Sequence, residues 1–185
     1  MSVIPETAKL TYEDYCLLPD DGKRHEVIDG EHFVSPAPNL RHQRISMNLS
    51  ALLVQHARLL RGHLFAAPVD VLLSEHDVVQ PDLVYGSRQR ATILTAANLQ
   101  GPPDLAVEIV SESSRRHDVV RKRKLHDRAG VPEYWIVDPE VETVSLYRRV
   151  ADRLERFAEL SLEAGDALAS PLFPDLEIPL SVVFE

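Results

Sequence analysis

The most constraining feature of this sequence is an ordered trio. An apolar run, Leu105 to Val110, is followed by a charged stretch of helical character, Arg115 to Ala129, and then by a second apolar run, Tyr134 to Val137. Runs this short and this uniformly apolar suit strands buried on both faces. Ser111 to Ser114 offers N-cap hydroxyls to the charged stretch, and Gly130-Val131-Pro132 stops it. Strand, helix and strand with short links imply a right-handed crossover, which places the two strands parallel in one sheet.

The remaining chain supplies neighbours for that pair. Thr11 to Leu18 reads as a short helix, with Thr11 and Asp14 resembling a capping box and Pro19-Asp20-Asp21-Gly22 as its stop. Arg24 to Ile28 and Glu31 to Val34 read as a hairpin, because Asp29-Gly30 suits a tight turn with positive φ angles. Asn39 caps a long amphipathic helix reaching about Arg61, on which Ile45, Leu49, Leu52, Leu53, His56 and Leu60 recur at helical spacing. Gly62 ends it. His63 to Leu73 and Val78 to Tyr85 read as strands, Gly86 to Pro103 as a loop with a helical turn near Ala96, and Thr143 to Arg148 and Leu154 to Ala158 as further strands before an acidic, proline-interrupted tail. With 185 residues and no internal repeat or linker, the expectation is one α/β domain over residues 1–185. Its mixed central sheet is flanked by helices, with an N-terminal hairpin and additional C-terminal strands.

Composition removes several function classes. One cysteine, Cys16, cannot form an internal disulfide, so a reducing, cytoplasmic setting is expected. No apolar run approaches the roughly 20 residues of a membrane helix, and Met1 to Leu10 lacks the order of a signal peptide. A Gly-rich phosphate loop, a serine nucleophile elbow, HExxH and paired-cysteine zinc motifs are absent. The eight histidines are scattered, and even His42 and His56 on one helix stripe lie about 21 Å apart along the axis. The net charge of −9 argues against a nucleic-acid partner, since phosphates favour basic surfaces.

What remains is an unusual set of buried acids and one lysine. Asp82 follows Pro81 among Val78, Val79, Leu83 and Val84, where an ionised carboxylate is costly unless paired or metal-bound. Glu108 occupies the same kind of position among Val107, Ile109 and Val110. Two acids in two core strands suggest a shared cation. On the following helix, Lys122 shares a stripe with Leu125, His126 and Ala129, so it faces the sheet and can orient a water or stabilise an anionic transition state. Plainer readings stand beside these. Backbone donors can satisfy Asp82 at a strand end, and Lys122 can reach solvent or pair with Asp118.

Five blocks, taken in order, resemble a known family: Arg24 to Glu31 (RHEVIDGE), His42-Gln43, Gln80-Pro81-Asp82-Leu83, Pro103 to Ser111 (PDLAVEIVS) and Gly130 to Pro139 (GVPEYWIVDP). They are similar to the Uma-type family of restriction-endonuclease-like proteins within the PD-(D/E)XK nuclease superfamily, in a version whose lysine has moved from strand to helix. The resemblance runs from about Thr11 to Tyr147. It implies a Mg²⁺-dependent endonuclease acting on DNA, with Mn²⁺ as a substitute. Asp82, Glu108 and the Ile109 carbonyl carry over as metal ligands, Lys122 as the catalytic lysine and Glu26 as an accessory catalytic acid. Two positions depart from the pattern: Val110 stands where the strand lysine belongs, and His126 where family members often have tyrosine.

Other readings stay open. Glu26 also suits a cross-strand ion pair, His42 a capped or core histidine or a contact to substrate or to Glu26, and Tyr134 and Trp135 core packing, while Gln43 and Asp104 carry little signal. A nuclease-like fold used for binding or regulation without catalysis is the alternative function, and a hydrolase of smaller phosphate esters a third. The charge objection weakens on inspection: Arg115 to Arg128 carries +5 and the rest of the chain −14. A basic helix on an acidic body implies modest, salt-sensitive DNA affinity. Double-strand cleavage, by analogy, implies a homodimer.

Overall fold

The computed structural model describes residues 8–111 and 117–185, and for His117 and Asp118 the backbone only. The capping hydroxyls expected at Ser113 and Ser114, and the Lys122 pair with Asp118, lie outside the described groups.

Helix α1 (Tyr12–Tyr15) carries the expected capping box, with Thr11 and Asp14 bonding reciprocally. Strands β1 (Arg24–Ile28) and β2 (Glu31–Ser35) form the hairpin, and Asp29 and Gly30 turn it with φ of 55° and 79°. The Asn39 side chain accepts from the His42 N–H to open α2 (Leu40–Leu59). Next come β3 (His63–Ala66), β4 (Val71–Ser74), β5 (Asp77–Val79) and β6 (Leu83–Gly86). A 3₁₀ turn over Arg88–Ile93 leads to β7 (Leu99–Gln100). The strand, helix and strand trio is β8 (Leu105–Ile109), α3 (His117–Arg128) and β9 (Glu133–Asp138), and β8 and β9 are parallel. Strands β10 (Thr143–Val150), β11 (Arg153–Ser161), β12 (Ala167–Ala169) and β13 (Glu177–Pro179) precede α4 (Leu180–Val183).

Two stretches expected as single strands are each divided. His63 to Leu73 breaks around Pro68, and Val78 to Tyr85 breaks at Gln80-Pro81-Asp82. Proline lacks the N–H that a central ladder needs, so each break falls where a sheet cannot continue. The second break moves the chain between sheets. β5 belongs to a sheet ordered β2-β1-β5-β4-β7, and β6 to a mixed sheet ordered β11-β10-β9-β8-β6-β3.

The main core lies under α2. Ile45, Leu49 and Leu53 pack with Tyr85, Val107, Trp135 and Leu146, and the tail adds Leu168, Phe173, Ile178, Leu180 and Val183. The tail is therefore structural, although its short apolar pieces between prolines carry no clear periodicity.

Helix α3 differs from expectation in how its charges are used. The Arg121 guanidinium stands 4.2 Å from the Phe33 ring centroid and 3.8 Å from Glu31. Arg123 lies over Tyr147, and Arg128 lies 2.7 Å from Asp29 and 2.6 Å from Asp77. Most of its described cations thus tie the helix to its neighbours while staying partly exposed. Asp77 is the centre of this clamp: buried, it also accepts from the Asp29 N–H at 2.9 Å and the Ser74 hydroxyl at 2.6 Å. Asp77→Ala leaves those donors unmatched, and we expect a loss of about 2–4 kcal/mol in urea unfolding, against about 1 kcal/mol or less for the exposed Arg121→Ala. Equal midpoints for the two variants would refute the clamp.

Candidate active site

The ladder between β6 and β8 ends at Leu83↔Val107. Beyond it the Asp82 carboxylate replaces a backbone acceptor: Oδ2 takes the Ile109 N–H at 2.8 Å. A strand residue projects its N–H and C=O to the same edge, so the Ile109 carbonyl faces the Asp82 side. Oδ2 also lies 3.1 Å from His42 Nε2, and Oδ1 accepts from Arg24 Nη1 at 2.6 Å. Burial pushes the Asp82 pKa up, but the hydrogen bonds and charges of His42 and Arg24 outweigh it and hold it below the usual carboxylate range.

Alternation along β1 supplies the rest. Arg24 and Glu26, two residues apart, share one face of the strand. Arg24 reaches Asp82, while Glu26 accepts from the Gln80 backbone N–H at 2.9 Å and from Lys122 Nζ at 2.9 Å. Lys122 Nζ also donates to Glu108 Oε2 at 3.2 Å. Glu26, Asp82, Glu108 and Lys122 are all buried, and only the Arg24 side chain, at 22% exposure, reaches outward.

The structure therefore brings Asp82, Glu108, Ile109, Lys122 and Glu26 to one end of β8. Asp82 sits just before β6 and not within a strand as expected, since Pro81 interrupts the ladder there. His42 contacts Asp82 and not Glu26. Trp135 and Tyr134 are core residues, Asp104 is occupied by the Ser87 N–H and Arg90, and Gln43 is exposed. Sequence reasoning missed Arg24 and Gln80 as site residues, though Arg24 preceding Glu26 by two is a readable signal of a shared face. The Gln80 side chain extends the network, donating to Asp70 at 2.8 Å and to the Tyr15 hydroxyl at 3.2 Å.

The donor chemistry suits Mg²⁺, which is held by one or two carboxylates, other oxygens and waters. Among the described residues no three Asp, Glu, His or Cys side chains are spaced to hold a metal ion. A fit to Mg²⁺ thus rests on two carboxylates, Asp82 and Glu108, with the Ile109 carbonyl.

His126, fully buried one turn after Lys122, lies 4.0 Å from Glu108 Oε1, and its ring stacks at a tilt on Tyr134. Neither ring nitrogen has a hydrogen-bond partner among the described residues. Burial, and then the charge of Lys122, lower its pKa to about 3, so it is a neutral imidazole in the folded protein. The unfolded chain, with its histidine near 6.5, binds one more proton between those values, and stability rises with pH across that window. His126→Phe is expected to flatten the slope of unfolding free energy against pH between about 3.5 and 6, by up to about 1.4 kcal/mol per unit. Superimposable profiles for the variant and the wild type would exclude this.

A comparison with curated proteins returns no match. A solved structure described as a "putative nuclease belonging to DUF820" from Anabaena variabilis aligns with a TM-score of 0.79 over 95% of this chain and 97% of that chain, at 19% identity. At that identity the likeness shows a shared fold, here a mixed α/β fold. The sequence model of Uma2, described as "Putative restriction endonuclease", matches residues 12–181, nearly the whole chain. The chain belongs to the Uma2 family.

Proposed function

We propose that this protein is a Mg²⁺-dependent endonuclease that hydrolyses phosphodiester bonds in DNA, with Mn²⁺ able to substitute. The observation that carries this reading is the buried Lys122 ammonium, held between Glu26 and Glu108 beside the Asp82 carboxylate at the end of β8. Asp82, Glu108 and the Ile109 carbonyl are the proposed metal ligands. A bound cation supplies Lewis acidity and lowers the pKa of a coordinated water.

The chain's own groups do the remaining work. Glu26, fixed by the Gln80 N–H, holds the Lys122 ammonium so that its positive charge faces the phosphate oxygens as negative charge develops. His42 and the Ile109 N–H keep the Asp82 carboxylate oriented and ionised. Arg24 has a different part. Both Asp82 oxygens are engaged, and of their partners only Arg24, whose side chain is 22% exposed, can swing away without breaking the fold. With a cation held by Asp82, the Arg24 guanidinium would be free to serve as a fork for a phosphate. Cleavage of both strands calls for two such sites, hence a homodimer.

The engagement of all three carboxylates by Arg24 and Lys122 also favours a second reading, a nuclease-like nucleic-acid-binding or regulatory protein without catalysis. Supercoiled plasmid and single-stranded DNA incubated with Mg²⁺ or Mn²⁺ separate the two. Nicking is expected for the wild type and a loss of at least about 100-fold in Glu108→Gln and Lys122→Met, whose folding is checked by circular dichroism. Cleavage equal in all three would sink the assignment. Calorimetric titration of DNA-free protein with Mn²⁺ tests Arg24 directly. Arg24→Met should bind Mn²⁺ several-fold more tightly than wild type, and Asp82→Asn should abolish binding. Unchanged affinity in Arg24→Met would rule out the exchange.

A further inference from the structure

The surface that meets the nucleic acid has to be sought away from α3, whose described cations are largely engaged with Glu31, Phe33, Tyr147, Asp29 and Asp77. Charge along the sequence points elsewhere. From His32 to Val69 there is not one Asp or Glu, and there are four arginines, Arg41, Arg44, Arg58 and Arg61. That segment carries +4 within a chain of −9, so the remainder carries −13. The segment is centred on α2.

Helix geometry sorts its residues. His42, Ile45, Leu49, Leu53 and Ala57 form the buried stripe against the sheet. Arg44, Met47, Ala51, Gln55 and Arg58 recur at three- and four-residue spacing on the opposite side, and all are exposed. Arg61 follows just past the C-terminus, also exposed. Arg41 is paired with Glu142 at 2.6 Å, whereas Arg44, Arg58 and Arg61 make no ion pair among the described residues. Among the described residues these three cations have no ion-pair partner, and α2 itself bears no acid, while Glu185 shares a surface pocket with Arg41 and Arg44.

The same helix begins at the candidate active site, since His42 in its first turn contacts Asp82. Arg44 and Arg58 are 14 residues apart, about 21 Å along the axis, the span of about six phosphates of one strand. We propose that the outward face of α2, through Arg44, Arg58 and Arg61, carries the phosphate backbone of the DNA substrate away from the site at its first turn. This rests on the proposed DNA activity and adds where the duplex lies. A lipid surface fits less well. The apolar stripe of α2 is committed to the core, and between Arg44 and Arg58 the outward face holds only Met47 and Ala51 as apolar residues.

The test measures binding apart from cleavage. Anisotropy of a labelled 20-base-pair duplex is followed over a salt series in Ca²⁺ or EDTA. It compares wild type, the triple variant Arg44→Ala/Arg58→Ala/Arg61→Ala, and Lys124→Ala on α3. The triple variant is expected to bind roughly 10- to 100-fold more weakly at low salt, and the slope of log affinity against log salt to fall by about two to three. Lys124→Ala should change both little. Duplex binding by the triple variant with wild-type affinity and slope overturns the proposal, even if cleavage is confirmed. So does the absence of duplex binding by wild type, or arginine-dependent binding to anionic phospholipid vesicles without duplex binding. Arginine-dependent duplex binding by a protein that proves unable to cleave upholds the surface while removing the catalytic reading.

Discussion

The arrangement depends on one carboxylate placed where a strand is not allowed to continue. Asp82 lies at the passage between two sheets and takes hydrogen bonds from the end of β8, the first turn of α2 and the start of β1. A buried ionised acid is costly on its own and tolerable only when its lone pairs are filled. Here filling them draws three separate elements to one point. The cost of burial and the geometry of the site are therefore one fact: the acid can stay charged only if those elements meet, and when they meet they form the cluster.

Glu26, Lys122 and Glu108 follow the same logic with the sign reversed at the centre. Lys122 lies buried between two carboxylates, and Arg24 and His42 flank the Asp82 carboxylate.

Much of this was legible in the sequence, for identifiable reasons. Glu108 stood out because nothing in Leu105 to Val110 could excuse a charge, and Lys122 because it shares its stripe with Leu125, His126 and Ala129 at three, four and seven residues further on. The parallel pair followed from the short links. Less legible were the sheet change at Pro81, since the apolar pattern runs on through it from Val78 to Tyr85, and Arg24, since its role depends on a partner 58 residues away. The charges of α3 misled for a related reason: a run of basic residues reads as a surface, but the acids that engage Arg121 and Arg128 come from the hairpins. The tail was unreadable because its core residues arrive singly, between prolines and turns.

That tail has a consequence for how the molecule comes into being. Leu180 and Val183 close the same core on which α2 rests, and α2 holds His42 against Asp82. During synthesis every ligand-bearing strand leaves the ribosome before α4 does, so the core under α2 lacks Leu180 and Val183 until α4 has emerged. A nascent chain can hold all the proposed catalytic residues and still lack part of the packing that aligns them, which α4 supplies when it docks.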